Sequence, residues 1–221
     1  MSRKVFISRD HRDVQNLVSR LHHEGFEVIA RSMIKTEHVS FEIPIPKSDW
    51  IFFSSSQAVR HFFLKSPDVL GKKIAAIGSG TARELSEHTD VDFVGSSQDT
   101  LRVSRDFAAL AVGSKVLFPS AEDSARTVQR ALPEDMVIDL ICYRTQANPS
   151  IIENAEVYVF SSPSNVNSFF SVNQLKTGSS VIAFGTTTAT ALLNQRVDSV
   201  RIPQSLSDDD LFDAINSGPV C

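Results

Sequence analysis

The sequence predicts an α/β fold of two five-stranded parallel-sheet domains joined by a two-stranded β-ladder hinge, one of the domains being discontinuous. Three observations carry that prediction. Short apolar runs alternate with amphipathic stretches along nearly the whole 221-residue chain, which is the pattern of strands and helices that build parallel sheets. The chain repeats itself at a shift of 107 residues. The repeated units also come in a different order in the middle of the chain and at its ends.

In chain order the predicted strands are Val5 to Ser8, Glu27 to Ala30, Trp50 to Phe53, Ile74 to Ile77, Asp92 to Val94, Lys115 to Phe118, Met136 to Cys142, Val157 to Phe160, Val181 to Phe184 and Val200 to Ile202. Each is a compact run rich in Val, Ile and Phe, bounded by Gly, Ser, Thr or Pro. Helical periodicity falls between them at Asp13–Glu24, Gln57–Lys65, Thr81–His88, Asp99–Leu110, Ser124–Leu132, Asn165–Ser171, Thr187–Leu193 and Ser207–Asn216. At the 107-residue shift Phe53-Ser54-Ser55 falls on Phe160-Ser161-Ser162, Val59 on Val166 and Phe62-Phe63 on Phe169-Phe170. Gly78 falls on Gly185, Thr81-Ala82 on Thr188-Ala189 and Leu85 on Leu192, with no gap anywhere. Self-similarity of this kind marks a duplicated structural unit. A weaker match sets Lys4-Val5-Phe6-Ile7 on Lys115-Val116-Leu117-Phe118.

The two matches order the strands differently, so the terminal half reads as a circular permutation of the central half. The expected domains are 1–33 plus 150–221, discontinuous, and 46–145, inserted, each a sheet of flavodoxin-like type. The chain must then cross between them at 34–45 and 143–150. In the first crossing Val39, Phe41 and Ile43 alternate with polar residues, so the crossings are expected to pair as the ladder.

Composition narrows the function. With 42% hydrophobic and 22% charged residues the chain is an ordinary globular sequence. Its net charge of −4 and pI near 5.9 argue against a nucleic-acid binder, which needs Lys and Arg to displace counterions. No apolar run reaches the roughly 18 residues of a membrane span. Met1-Ser2-Arg3-Lys4-Val5-Phe6 runs straight into strand-like sequence without a signal-peptide core, and a cytoplasmic protein is expected. Two cysteines, Cys142 and Cys221, build neither a disulfide framework nor a Cys-rich zinc site. No metal and no cofactor are expected.

Open parallel sheets bind ligands beyond the carboxyl ends of their strands. The turns there are Ser8-Arg9-Asp10, Ser54-Ser55-Ser56, Gly78-Ser79-Gly80-Thr81, Pro119-Ser120-Ala121, Ser161-Ser162-Pro163-Ser164 and Gly185-Thr186-Thr187-Thr188. Taken singly, such turns are helix N-caps. As a set they offer free backbone N–H groups and positive helix ends that suit carboxylates or phosphates. Arg9 is a fixed cation at a strand end, able to fork onto a carboxylate or to form a surface ion pair; Arg126 lies farther off. Tyr143 ends the last strand of the central domain, where its phenol serves either a domain interface or as hydrogen-bond donor and acid. Gly78-Ser79-Gly80-Thr81-Ala82-Arg83 has Arg83 where a dinucleotide fingerprint has its third glycine. Neither a Walker lysine nor a nucleophile elbow nor H-E-x-x-H occurs, and His22-His23 point in different directions on one helix.

The segments Ile51-Phe52-Phe53-Ser54-Ser55-Ser56-Gln57-Ala58-Val59 and Val159-Phe160-Ser161-Ser162-Pro163-Ser164-Asn165-Val166, the turns Ile77-Gly78-Ser79-Gly80-Thr81-Ala82 and Phe184-Gly185-Thr186-Thr187-Thr188-Ala189, the opening Ile7-Ser8-Arg9, the stretch Cys142-Tyr143-Arg144-Thr145 and the closing Pro203-Gln204-Ser205-Leu206-Ser207 together resemble those of uroporphyrinogen-III synthases. The resemblance implies two α/β domains joined by a ladder. It also implies a monomeric enzyme of heme biosynthesis that closes hydroxymethylbilane, a linear tetrapyrrole with eight carboxylates, to uroporphyrinogen III with loss of water and inversion of ring D through a spiro intermediate. Because the same substrate closes unaided to the uninverted isomer, positioning and electrostatics are expected to outweigh covalent chemistry. On this resemblance Ser54, Ser55, Thr81, Ser161, Ser162, Thr187 and Thr188 bind carboxylates, Arg9 adds charge, and Tyr143 is the acid assisting departure of the hydroxyl. Many members have Arg-Gly where this chain has Ser120-Ala121, so a cationic contact is expected to be missing or supplied by Arg126. The competing reading is a non-catalytic two-lobed α/β binding protein for a small anion, which would share the architecture and the turns.

Overall fold

The computed structural model describes residues 3–96, 99–204 and 207–217. Ser205, Leu206 and Cys221 lie outside them. The chain is a mixed α/β protein that divides into two compact units, Met1–Lys35 with Gln146–Cys221, and Thr36–Thr145.

In the first unit the strands are β1 (Arg3–Ile7) and β2 (Phe26–Ala30), with α1 (Gln15–His23) between them. The strand β3 (Ile34–His38) carries the chain out of this unit. The second unit runs β4 (Trp50–Phe53), α2 (Ser56–Phe63), β5 (Lys73–Ala76), α3 (Ser79–Leu85), β6 (Phe93–Val94), α4 (Thr100–Leu110), β7 (Val116–Ala121) and β8 (Val137–Ala147). The first unit then resumes with β9 (Val157–Phe160), α5 (Pro163–Phe170), β10 (Ser180–Ala183), α6 (Thr186–Asn194) and α7 (Asp208–Asn216).

The first unit's sheet has the order β10-β9-β1-β2 and the second unit's the order β3-β8-β7-β4-β5-β6. In the first sheet all the pairs are parallel, as are those joining β8, β7, β4, β5 and β6 in the second. The repeat is visible in the elements themselves. β4, α2 and β5 begin at Trp50, Ser56 and Lys73, and β9, α5 and β10 begin 107 residues later at Val157, Pro163 and Ser180. In space β9 stands between β1 and β10 as β4 stands between β7 and β5, so the permuted sequence order corresponds to one spatial order.

Several expected elements differ. The expected strand Val200–Ile202 reduces to an isolated bridge between Ile182 and Arg201, so among the described residues the first sheet has four strands. Among the described residues the second has six, because β3 joins its edge beside β8. The alternating residues Val39, Phe41 and Ile43 are not that strand: β3 lies earlier in the chain, and Phe41 and Ile45 turn into the second unit's core instead. The expected helix Ser124–Leu132 shortens to a 3-10 turn at Gln129–Ala131. Arg126, in the left-handed region at φ 53°, breaks the helical path ahead of it.

Strands buried on both faces read as continuous apolar runs. In β4, Ile51 and Phe53 pack with Ala58, Val59 and Phe62 of α2, whereas Trp50 and Phe52 pack with Phe107 of α4 on the opposite face. In the first unit Phe6, Tyr158, Phe160 and Phe169 form one aromatic cluster. There Phe6 lies 5.3 to 6.1 Å from the other three rings. Replacing Phe6 by Ala leaves a cavity in that cluster and is expected to lower unfolding free energy by about 3–5 kcal/mol, read from the denaturant midpoint.

Candidate functional site

In the second unit the site begins where β4 ends. Ser54 is exposed. Ser55 adopts an extended backbone and its side chain accepts the N–H of Ala58 at 3.1 Å, capping α2. The same Oγ lies 3.1 Å from the phenolic oxygen of Tyr143. With one lone pair given to Ala58, Ser55 can still donate its proton to Tyr143, which leaves the phenolic proton for a third group.

A β-bulge aims Tyr143 at that cap. Ser120 of β7 pairs with Ile141 but the next residue, Ala121, pairs with Tyr143, so β8 has one residue more than β7 at this point. Consecutive residues Cys142 and Tyr143 are consequently both buried in the core that holds α2, where regular alternation would turn one of them outward. Burial pushes the Tyr143 phenol above its ordinary pKa, although the Ser55 hydrogen bond pulls the other way. The phenol therefore stays protonated at neutral pH, the state an acid needs. Burial also pushes the Cys142 thiol up to about 12, which suits a core residue rather than a nucleophile.

Around Tyr143 lie groups that sequence patterning did not single out. His61 of α2 stacks on the Tyr143 ring, with centroids 5.1 Å apart. Its Nε2 is 2.8 Å from Thr36 Oγ1, and Thr36 donates to Gln57 at 3.2 Å. Burial, with smaller contributions from His38 and Arg60, holds the His61 imidazole below its ordinary pKa. A buried apolar-face histidine carries no periodic signal, so no sequence pattern marks it.

In the first unit Ser162 repeats the role of Ser55, capping α5 by accepting the Asn165 N–H at 3.2 Å. Ser161 donates two hydrogen bonds to Ser8: its N–H to Ser8 Oγ and its hydroxyl to the Ser8 carbonyl, both at 2.8 Å. Asn165 is buried and was not foreseen as part of the site. Its amide donates to both Ser161 and Ser162, and its carbonyl oxygen accepts the Met33 N–H at 2.8 Å. Arg9 lies over the Phe184 ring, 5.6 Å from its centroid. Gly185 precedes α6 at φ 157°, a region L-residues rarely adopt. Thr187 is exposed in the first turn of α6, whereas Thr188 and, in α3, Thr81 are buried. Ser54 and Thr187 thus present exposed hydroxyl-bearing residues, and Ser55, Ser161 and Ser162 are partly exposed with hydroxyls already bonded. Arg126 is paired with Asp139 at 2.6 Å.

Among the described residues no group of three or more His, Cys, Asp or Glu is arranged to hold a metal ion, and no helix is long and apolar enough to cross a membrane.

The family model for uroporphyrinogen-III synthase HemD matches residues 15–213 of this chain. No curated protein sequence matches it. Among solved structures, the uroporphyrinogen-III synthetase of Helicobacter pylori is similar with a TM-score of 0.70 at 16% identity, covering 98% of this chain and 99% of the other. A mutant uroporphyrinogen III synthase of Thermus thermophilus is similar with a TM-score of 0.57 at 17% identity, covering 98% and 100%. At these identities the structures attest the fold, which is the mixed α/β arrangement described above.

Two outcomes follow from the geometry around Tyr143. Ser55→Ala removes the α2 cap at a cost of about 1 kcal/mol and raises the Tyr143 pKa further, because the hydrogen bond it deletes favours phenolate; denaturant unfolding and phenolate absorbance measure the two effects. As pH falls below the ordinary histidine value of about 6.5, the unfolded chain takes up a proton at residue 61 before the native chain does. Stability should therefore decline from there down to the lowered native pKa of His61, and His61→Phe should flatten the decline measured by denaturant midpoints across that window.

Proposed function

This chain belongs to the uroporphyrinogen-III synthase family, and we propose from that premise how its own residues carry out the cyclising dehydration of hydroxymethylbilane. The enzyme is a lyase of heme biosynthesis. The substrate loses its hydroxyl as water to give an electrophilic azafulvene, and attack through the substituted carbon of ring D forms a spiro intermediate. Fragmentation and reclosure of that intermediate give the macrocycle with ring D inverted.

In our reading Tyr143 is the acid that protonates the departing hydroxyl. The observation that carries this role is the Tyr143–Ser55 contact of 3.1 Å, in which a serine already committed to the α2 cap can donate to the phenolic oxygen. A phenol so held keeps its proton for the leaving group, and the phenolate formed as water departs is stabilised by the Ser55 hydroxyl. When the macrocycle recloses, the unsubstituted ring D carbon that forms the last bond sheds its proton to restore the aromatic pyrrole, and the phenol is restored, so only water is lost overall.

Carboxylate recognition falls to the turns of each unit. Ser54 and Thr187 offer exposed positions in the first turns around α2 and α6, and the N–H groups at the starts of α2, α3, α5 and α6 supply positive helix ends. Arg9 adds charge at the end of β1, where the preceding residue Ser8 is hydrogen-bonded to Ser161. Thr81 and Thr188, being buried, act by fixing the first turns of α3 and α6 rather than by offering hydroxyls. Arg126 is engaged by Asp139, so Ser120-Ala121 leaves the end of β7 without the cation many relatives carry there. We further read the protein as a cytoplasmic monomer that binds no nucleic acid, with 34–45 and 143–150 as the crossings between two domains.

The test is to supply hydroxymethylbilane and resolve the porphyrin isomers after oxidation. The type III isomer is expected; type I alone, from folded protein, overturns the reading. Tyr143→Phe is expected to lower kcat by about 100-fold, the low end of what a positioned acid contributes, with little change in KM. An unchanged kcat would remove Tyr143 from the chemistry.

A further inference from the structure

The edge of Tyr143 is held by Ser55, and its face is held by something the family reading does not mention. His61 lies on the buried side of α2 with its ring plane within 11° of the Tyr143 plane. Beyond it His38 of β3 continues the column, 6.1 Å away and within 12° of parallel, and His38 meets the edge of Phe41. The protonation of His61 can be read from its partners. Thr36 gives its single hydroxyl proton to Gln57, so toward His61 it can only accept. Nε2 of His61 therefore carries the proton and Nδ1 carries a lone pair. That Nδ1 is buried and has no hydrogen-bond partner among the described residues.

A second proton on this ring would have no acceptor at Nδ1. The groups around it do not invite one. Arg60, next to it on α2, makes a two-pronged ion pair with Glu84 of α3. Glu37 of β3 is paired with Arg144 of β8 at 2.9 Å. Lys65, beyond the end of α2, donates to Ser40 and to the Phe41 carbonyl, and His38 contributes a second imidazole. The ring facing Tyr143 is thus an uncharged plate.

We propose that His61 is a positioning residue for Tyr143, a neutral imidazole whose stacked face stops the phenol from tilting away from Ser55 and keeps the proton-donating hydroxyl aimed at the reacting bond. The inference rests on the reading of Tyr143 as the acid and deepens it. The absence of charge is part of the role. An imidazolium at this position would stabilise phenolate and weaken the hold of Tyr143 on its proton before substrate arrives, whereas a neutral ring supplies contact without that bias. The hydrogen bond to Thr36 fixes the plate in turn.

A double-mutant cycle tests this. His61→Ala is expected to lower kcat about 10-fold with KM little changed, as small misplacements of a reacting group do. The same substitution made on top of Tyr143→Phe is expected to cost nothing more. His61→Phe, which keeps a flat ring, is expected to restore most of kcat. A His61→Ala loss that persists undiminished in the Tyr143→Phe background, or a His61→Phe variant as slow as His61→Ala, overturns the proposal. A second readout is independent of turnover: the phenolate absorbance titration of Tyr143, assigned by its loss in Tyr143→Phe. His61→Ala should bring its midpoint down toward the ordinary tyrosine value while His61→Phe leaves it raised; an unmoved midpoint in folded His61→Ala overturns the stack. Should His61→Ala fail to fold, His61→Leu fills the volume without a flat face and takes its place. If Tyr143→Phe leaves kcat unchanged, the acid reading falls, and the titration still decides whether His61 holds the ring.

Discussion

A helix that follows a buried parallel strand begins with N–H groups that have no partner, and here the second serine of a Ser-Ser pair supplies one. Ser55 accepts the Ala58 N–H and Ser162 the Asn165 N–H at nearly the same distance. Those two caps lie at equivalent places in the two copies of the repeat, each beyond the central strands of its sheet. Much of the site follows from them. The cap fixes where the helix starts, the helix start fixes where the positive end of its dipole points, and the serine left over before each cap stands beside that end.

The two copies use the same cap differently, and the difference follows from single residues. In the second unit position 58 is Ala, the capping serine has capacity to spare, and Tyr143 takes it. In the first unit the equivalent position is Asn165, whose side chain occupies both serines and ties them to the Met33 backbone. Duplication supplied one geometry; an alanine left room for a phenol in one copy, and an asparagine made the other a structural knot. The tyrosine we propose as the acid accordingly stands beside one copy of the motif.

A chain with net charge −4 that handles a polycarboxylate needs local fields that oppose its global one. In the reading proposed above the helix starts provide them, because their partial charges are fixed, short in range and independent of the count of Lys and Arg. The cations that were candidates for the task are partly engaged elsewhere: Arg126 with Asp139 and Arg9 over the face of Phe184. Backbone recognition of this kind leaves little trace in composition. It is legible only as hydroxyl-bearing and glycine turns recurring after strands.

The α/β class, the 107-residue repeat and the Ser-Ser and glycine turns were legible in the sequence because each is local: burial on both faces writes continuous apolar strands, and capping and left-handed turns demand particular residues at particular steps. The registration of β4, α2 and β5 with β9, α5 and β10 follows from the same locality. What the sequence did not contain was set by contacts between distant segments. The last expected strand shrank to a bridge at Arg201, and the first crossing paired earlier than its alternation indicated because Phe41 and Ile45 gain more from the core than from a ladder. The buried state of Thr81 and Thr188 depends on which side of each helix packs inward. Above all, sequence read Tyr143 as the end of a strand, whereas it lies inside β8 (Val137–Ala147) and beside Ser55. That meeting requires an extra residue in β8 opposite β7, and pairing across strands, with the bulge it contains, is decided only when the chain has folded.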